Sequence, residues 1–531
     1  MSLIRKFASV GSATLASRVL GFVREALIGA ALGAGPVADA FYAAFAFPNL
    51  FRRLFAEGAF NSAFVPKFAR TVEAGGMEKA REFAEQVMAV LLTVLIGLSA
   101  LAMIFMPAVV GTVVAPAFAD TPDKFDLTVE LTRVMFPYLL CMSLVAMLSG
   151  IMNSMRHYFL AAFVPVLLNI IMTGVTAYAL WVGMDAFATG RLLSYGVLVS
   201  GFAQLLLLLI ATRKAAFPLS LRMPHLTPEV KHLMILMGPA MLTGGVVQIN
   251  IMIGRIIASG QDGAIALLNY ADRINQLPLG VIGIAIGVVL LPELARALKG
   301  ERHDEAKHLQ NRSLEFAFAL TLPAAVAMMV MPVPIINILY QRGAFTGETT
   351  ALTATALAAF ASGLPAYVLV KVFQPGFFAR EDMKTPLWYS MAAVVINIVL
   401  SFALFGRYGH VAIAAATSIS AWANALLLGG ALWMRGHFRP SNDFLRSMAM
   451  ILASAAGMGV FLYGAQLALP HLYASPSTLV RVLSTLATVA AAALVYGFAV
   501  LLTGGLDKSE LKAAFSRKRK PTVTAKQDGL E

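Results

Sequence analysis

Cysteine is all but missing. Cys141 is the sole one among 531 residues and lies within an apolar stretch, so neither a disulfide framework nor a cysteine metal site is available. Charge is scarce too: 13% of residues are charged against 59% hydrophobic, about half the charged share of a soluble domain. With a mean hydropathy of +0.77, the chain is excluded from the soluble globular class. Acid is scarcer than base, with 28 Asp and Glu against 41 Lys and Arg, a net charge of +13. The basic residues are scattered over short connections without a folded basic domain, which excludes a nucleic-acid surface. No Gly-x4-Gly-Lys-Ser/Thr loop occurs, so nucleotide hydrolysis has no motif to stand on.

What is present is apolar length. A bilayer takes about 20 residues of helix, and runs of that kind centre near residues 22, 50, 97, 140, 170, 201, 244, 278, 322, 363, 396, 422, 456 and 490. They are continuous rather than alternating, which selects helices over barrel strands. The fold class expected is an all-α polytopic membrane protein of about fourteen transmembrane helices, or twelve if the first two, interrupted by charge, are set aside. Most Lys and Arg fall in the even-numbered connections and at the termini, so both termini are placed in the cytoplasm. Arg5 and Lys6 before an apolar stretch resemble a signal peptide, but Arg18 and Arg24 interrupt the uncharged region such a peptide needs, so the stretch reads as a retained first helix.

The two halves align when shifted by about 227 residues. Val65-Pro66-Lys67-Phe68-Ala69-Arg70 then faces Leu291-Pro292-Glu293-Leu294-Ala295-Arg296, Phe136-Pro137-Tyr138 faces Leu364-Pro365-Ala366, and Leu168-Asn169-Ile170 faces Ile396-Asn397-Ile398. An even number of spans per half gives a parallel repeat about an axis along the membrane normal, with substrate between the halves. The expected organisation is an N-lobe over 1–215, a C-lobe over 216–440, two added spans over 441–505, and a basic cytoplasmic tail over 506–531 with some attraction to anionic lipid.

Four arginines sit where a span should have none: Arg18, Arg24, Arg52 and Arg53. Each costs about 2.5–3.5 kcal/mol at the centre of a spanning helix, and intramembrane charge is functional by default. If the first helix starts near Ala8, the helical rise puts Arg18 roughly 15 Å and Arg24 roughly 24 Å into the membrane. The second helix returns, with Asp39 near its outer end and Arg52 and Arg53 roughly 20 Å below. On this ruler Arg24 approaches Asp39, and Arg18 approaches the Arg52 pair. Tyr270-Ala271-Asp272-Arg273 opens the eighth span and adds a cation at outer depth. A ladder of guanidinium groups suits a phosphate-bearing head group, because their forks bind phosphate oxygens in pairs. Glu25, Asn49, Glu57, Asp272 and Gln276 are the candidate supporting residues.

Ser17-Arg18-Val19-Leu20-Gly21-Phe22-Val23-Arg24-Glu25, Ala38-Asp39-Ala40-Phe41, Pro48-Asn49-Leu50-Phe51-Arg52-Arg53-Leu54-Phe55-Ala56-Glu57-Gly58-Ala59-Phe60, Ala63-Phe64-Val65-Pro66 and Tyr270-Ala271-Asp272-Arg273 carry a resemblance. Together they resemble the MurJ (MviN) lipid II flippases of the multidrug/oligosaccharidyl-lipid/polysaccharide exporter superfamily. The resemblance implies a bacterial inner-membrane transporter that moves lipid-linked peptidoglycan precursor outward, not an enzyme. It implies transport roles for Arg18, Arg24, Asp39, Arg52, Arg53 and Arg273, and an apolar groove for the polyprenyl tail in spans thirteen and fourteen. The expected partners are lipid II and membrane lipids, with the cell-wall synthesis machinery as candidate protein partner of a functional monomer. No cofactor is expected; membrane potential or an ion gradient is the available drive. Gln276 departs from the pattern, since some members carry an acid there. A flippase for another polyprenyl-diphosphate glycan fits the charges equally, and a MATE-like small-molecule exporter shares the core but would meet a cavity that repels cationic drugs. A membrane enzyme would need clustered carboxylates or a base beside the phosphate, which this chain lacks.

Overall fold

The computed structural model describes residues 3–53 and 60–505, without the side chains of 3–10, 62, 239–244, 246–247 and 281–289. Glu57 and the basic tail lie outside the described residues.

The first helix, α1 (Leu3–Leu32), is followed by α2 (Pro36–Phe51), and the turn between them is compressed into three residues by Gly33, whose φ of +61° suits glycine. Pro36 opens α2 at the first position, where its missing N–H costs nothing. Next come α3 (Asn61–Ile104), bent into two rods at Gly76 where φ is +73°, and the short α4 (Met106–Val109). Helices α5 (Pro122–Met135) and α6 (Tyr138–Ser154) meet at Phe136-Pro137, and α7 (Tyr158–Val182) stops at left-handed Gly183. Asp185 caps α8 (Ala186–Lys214) and Thr227 caps α9 (Pro228–Ala258), each side chain accepting from a first-turn N–H. Then follow α10 (Ala264–Lys299), α11 (His303–Val330), α12 (Pro332–Tyr340), α13 (Gly347–Phe378), α14 (Lys384–Tyr408), α15 (His410–Met434), α16 (Asn442–Ala468), α17 (Pro470–Tyr473) and α18 (Thr478–Thr503).

Among the described residues ten helices are long and apolar enough to cross a bilayer. Large apolar side chains stand exposed along them, as Leu486, Leu494 and Phe498 do on α18, a surface that lipid tails cover in place of water. The chain is therefore a multi-pass membrane protein. The other four expected spans, centred near residues 22, 50, 244 and 278, fall on α1, the end of α2, α9 and α10.

Two compact units are present. One takes the chain up to Leu277 with Pro332–Gly363 and Met383–Asn424; the other takes Pro278–Met331, Leu364–Asp382 and the chain from Ala425. In the first, α1 packs along α7, α2 against α5, and α9 against α14. Its aromatic centre is Tyr270, whose ring lies 5.2 Å from Tyr340, 5.3 Å from Phe345 and 5.5 Å from Tyr42. Gly29 lets α1 reach this cluster, since a Cβ there would lie 3.2 Å from the Phe345 ring. In the second unit α11 packs on α16, and α18 docks through Tyr496, whose hydroxyl donates to the Ala319 carbonyl at 2.8 Å.

Candidate functional site: two buried charge networks

Glu25 is the hub of the first network, 2% exposed on the inner face of α1. One carboxylate oxygen accepts from Arg24 Nη2 at 2.6 Å and from Arg273 Nη2 at 3.0 Å; the other accepts from the Tyr42 hydroxyl at 2.8 Å and Asn269 Nδ2 at 3.4 Å. Four donors on α1, α2 and α10 thus converge on one carboxylate, the arrangement that lets a charge be buried at all. Arg24, 6% exposed, also donates from Nη1 to Asn169 Oδ1 at 3.1 Å, while Asn169 Nδ2 donates to the Ser17 carbonyl at 2.8 Å. Helix α7 thereby fixes both the height and the rotation of α1.

Beside Glu25 lies a cavity of about 90 Å³, lined by Tyr42, Asn49, Arg53, Arg255, Asn269 and Arg273 among others. Three guanidinium groups face one carboxylate across a space large enough for a few waters or a small anion. Arg52 is tied one turn back, donating from Nε to Asn49 Oδ1 at 3.0 Å. Arg18 is half-buried and has no ion-pair partner among the described residues. Gln276 donates to Asp272 one helical turn earlier, so the amide standing where an acid was expected secures Asp272.

The second network gathers around Asp39, which is 0% exposed in the first turn of α2. The expected approach of Arg24 to Asp39 does not occur: Arg24 is held by Glu25, and the cation on Asp39 is Lys124. Lys124 Nζ lies 2.8 Å from Asp39 Oδ2 and 2.8 Å from Asp262 Oδ1, with its charge 4.0 Å above the Phe118 ring. The helical rise carries no information on rotation about the helix axis, and Lys124, in the first turn of α5, has Asp120, Asp123 and Asp126 as its sequence neighbours. Asp39 also accepts from the backbone N–H groups of Gly263 at 2.7 Å and Ala266 at 3.0 Å, so it caps the N-terminus of α10 from outside that helix. Asp39 and Ala266 are separated by the repeat offset, which brings corresponding positions of the two halves together.

Backbone packing closes the same end. Gly263, at φ +77°, leaves no room for a Cβ against the Ala34 carbonyl, and Gly343, at φ +55°, none against that of Ala30. The Ala344 N–H donates to the Ala30 carbonyl at 2.8 Å. Gly263→Ala is expected to lose about 2 kcal/mol or more, combining the left-handed penalty with displacement of Ala34. Gly436→Ala, also left-handed at φ +69° but in open space, is the control; thermal unfolding in detergent should show the larger loss at Gly263.

Sequence reasoning missed Arg255, Lys124, Asp262 and Asn269. Arg255 had a signal, being a lone cation in the apolar stretch Gln248–Ala258. Asn169 was visible only as a repeat residue. Its counterpart Asn397 donates to Asn250 on α9 at 2.8 Å, and Asn250 stands 226 residues after Arg24. Each half therefore uses an asparagine to hold the same position of its opening helix.

A multi-pass protein with no strand among its described residues and with charges this deeply enclosed has the architecture of a membrane transporter. Solved structures share the fold: a lipid II flippase MurJ in an inward closed conformation aligns with a TM-score of 0.75 at 24% identity, over 95% of this chain and 99% of that one. An inward-facing MATE multidrug resistance transporter of the MOP superfamily aligns with a TM-score of 0.64 at 16% identity, over 79% and 94%. The family model described as "Lipid II flippase MurJ" matches residues 28–494. A "Probable lipid II flippase MurJ" from Rhizobium tropici is 51% identical over 98% of each chain, and a "Lipid II flippase MurJ" from Burkholderia cenocepacia is 34% identical over 86% of this chain and 88% of its own. The chain belongs to the MurJ family of lipid II flippases, transporters rather than enzymes.

Proposed function

We propose that this protein moves lipid II from the cytoplasmic to the periplasmic leaflet of a bacterial inner membrane by alternating access of two six-helix halves. The observation that carries the reading is the cavity at Glu25, where Arg53, Arg255 and Arg273 converge beside one carboxylate. The diphosphate of a lipid-linked sugar is a dianion that guanidinium forks bind in pairs, and it can compete with Glu25 for Arg273. Arg18, Arg52 and Arg53 meet the head group from the cytoplasm, and Arg24, Arg255 and Arg273 receive it further out. Asp39 serves the outer closure, through Lys124 and the α10 backbone instead of through Arg24. Asn49, Asp272 and Gln276 orient these arginines, with Glu57 assigned a supporting role from its motif.

In this reading the chain spans the membrane fourteen times, α1, α2, α9 and α10 adding to the ten apolar helices, with both termini cytoplasmic. The N-lobe covers 1–215 and the C-lobe 216–440. Residues 441–505, with their exposed apolar faces, hold the polyprenyl tail, and 506–531 attract anionic lipid. The protein works as a monomer without a cofactor, beside the cell-wall synthesis machinery, and membrane potential or an ion gradient resets it.

The test is periplasmic exposure of lipid II head groups in cells depleted of this protein and supplied with wild type, Arg24→Ala or Arg273→Ala at matched membrane levels. Exposure is expected to collapse on depletion and to return only with wild type. Unchanged exposure on depletion, where no second flippase is present, refutes the assignment and leaves another polyprenyl-diphosphate glycan as cargo.

A further inference from the structure

A second cavity, of about 750 Å³, lies elsewhere, at the bend of α3. One wall is a single face of α3: Ala63, Pro66, Lys67, Arg70, Thr71 and Ala74 recur at helical spacing. The other is the first turns of α9, with Glu229, His232 and Leu236. Lys79, beyond the Gly75-Gly76 turn, completes the rim. Lys67 is held in place: Nζ donates to the Glu229 backbone carbonyl at 2.9 Å and lies 5.7 Å from the Phe83 ring. That leaves two of its three N–H groups uncommitted among the described residues. Arg70 and Lys79 have no ion-pair partner among the described residues either, and Glu229 is the one carboxylate on the lining. The α9 N-terminus adds the positive end of a 31-residue helix dipole to the same wall.

Topology alone explains why basic residues lie at this end of the chain, but not why three of them and a helix N-terminus converge on one concavity. The internal repeat accounts for Arg70, which faces Arg296 in the other half, but not for Lys67, which faces Glu293. We infer that this cavity is a second anion site, separate from the network at Glu25, which takes a phosphate or diphosphate group. Its source is a lipid head group arriving from the adjacent leaflet or a soluble phosphate compound. The chemistry is the same: oxygen anions accept from Lys67, Arg70 and Lys79 at the mouth of α9.

The test uses full-length protein in neutral phosphatidylcholine nanodiscs titrated with inorganic pyrophosphate by calorimetry. Wild type and Arg273→Ala are expected to bind alike at this site. Lys67→Gln/Arg70→Gln/Lys79→Gln is expected to bind at least about tenfold more weakly, the loss that even one charge-assisted contact brings. Glu229→Gln removes the opposing carboxylate and is expected to tighten binding, a gain that impaired folding does not mimic. Nanodiscs containing phosphatidylglycerol separate the sources: suppressed pyrophosphate binding assigns the lipid head group, and undiminished binding assigns a soluble phosphate. Absence of binding by wild type, or equal binding by wild type and both pocket variants, overturns the site. None of these readouts depends on which lipid the protein flips.

Discussion

Glu25→Ala is expected to cost about 3–5 kcal/mol of stability, the usual result of removing one partner from a buried ion pair. The reason is what the carboxylate leaves behind. Arg24 and Arg273 are both bonded to the same oxygen, at 2.6 and 3.0 Å, so its removal turns two attractions into one repulsion between guanidinium groups. The Tyr42 hydroxyl loses its acceptor at the same time. Arg24 cannot recover by turning to water, being 6% exposed and pinned from the far side by Asn169. Glu25→Gln keeps the shape and one acceptor oxygen and is expected to lose less. The informative variant is Arg24→Met/Glu25→Leu, which removes charge from both sides of the pair. Replacement of a buried pair by apolar groups is often neutral, so most of the stability of Glu25→Ala should return while transport stays lost. Thermal and denaturant unfolding in detergent measure the first, and head-group exposure in cells the second. A Glu25→Ala protein within about 1 kcal/mol of wild type would mean that water already reaches both arginines and screens them.

How far the sequence foretells this arrangement depends on what each residue type reveals about its surroundings. Apolar length reports membrane crossing directly, because a bilayer sets the number of residues a helix must supply. Ten of the expected spans fall on helices long and apolar enough to cross a bilayer, whereas the short α4, α12 and α17 leave no such mark in the sequence. Arginine in an apolar run is equally telling, since its insertion cost demands a partner somewhere. That is how Arg24 and Arg273 come forward, and it applies to Arg255 as well. Partner identity is another matter. Whether Arg24 meets Asp39 or Glu25 depends on the rotation of α1 about its axis, which Asn169 and Ser17 fix through hydrogen bonds that span 145 and 152 residues of chain. Nothing local to α1 records them. Lys124 is hidden for a different reason: a lysine among Asp120, Asp123 and Asp126 has the local sequence of an exposed connection. Its burial follows from Phe118 below and Asp39 above, contacts that exist only once α2 and α5 have packed. The repeat lies between these cases. Its offset is visible in the sequence, but only the paired roles of Asn169 and Asn397 give that offset a physical meaning.

Lys124→Met is expected to have an effect of similar size, about 3–5 kcal/mol, because it leaves a fully enclosed Asp39 without a cation. The two acids that share Lys124 are not equivalent, which makes the prediction sharp. Asp262 is 80% exposed on its side chain, so its pairing is weakened by water and salt, and Asp262→Asn is expected to stay within about 1 kcal/mol of wild type. Asp39 has no such escape, and its two backbone donors, Gly263 and Ala266, bring dipoles where a full charge is needed. Adding Asp39→Asn to Lys124→Met removes the stranded charge while keeping an acceptor for those N–H groups, so the double variant should be more stable than Lys124→Met alone. The coupling read from the four-protein cycle should lie at the upper end of the 0.5–3 kcal/mol range seen for contacting residues. The same contacts join the first turns of α2 and α10, so their loss should also loosen the closure that Gly263 and Gly343 complete. A cysteine placed at Asp262 should then react faster with a membrane-impermeant maleimide in Lys124→Met than in Lys124→Met/Asp39→Asn. Equal rates and additive stabilities would show that Lys124 merely fills space beneath Asp262; the expected coupling makes it the counter-charge on which Asp39 depends to hold the first turns of α2 and α10 together.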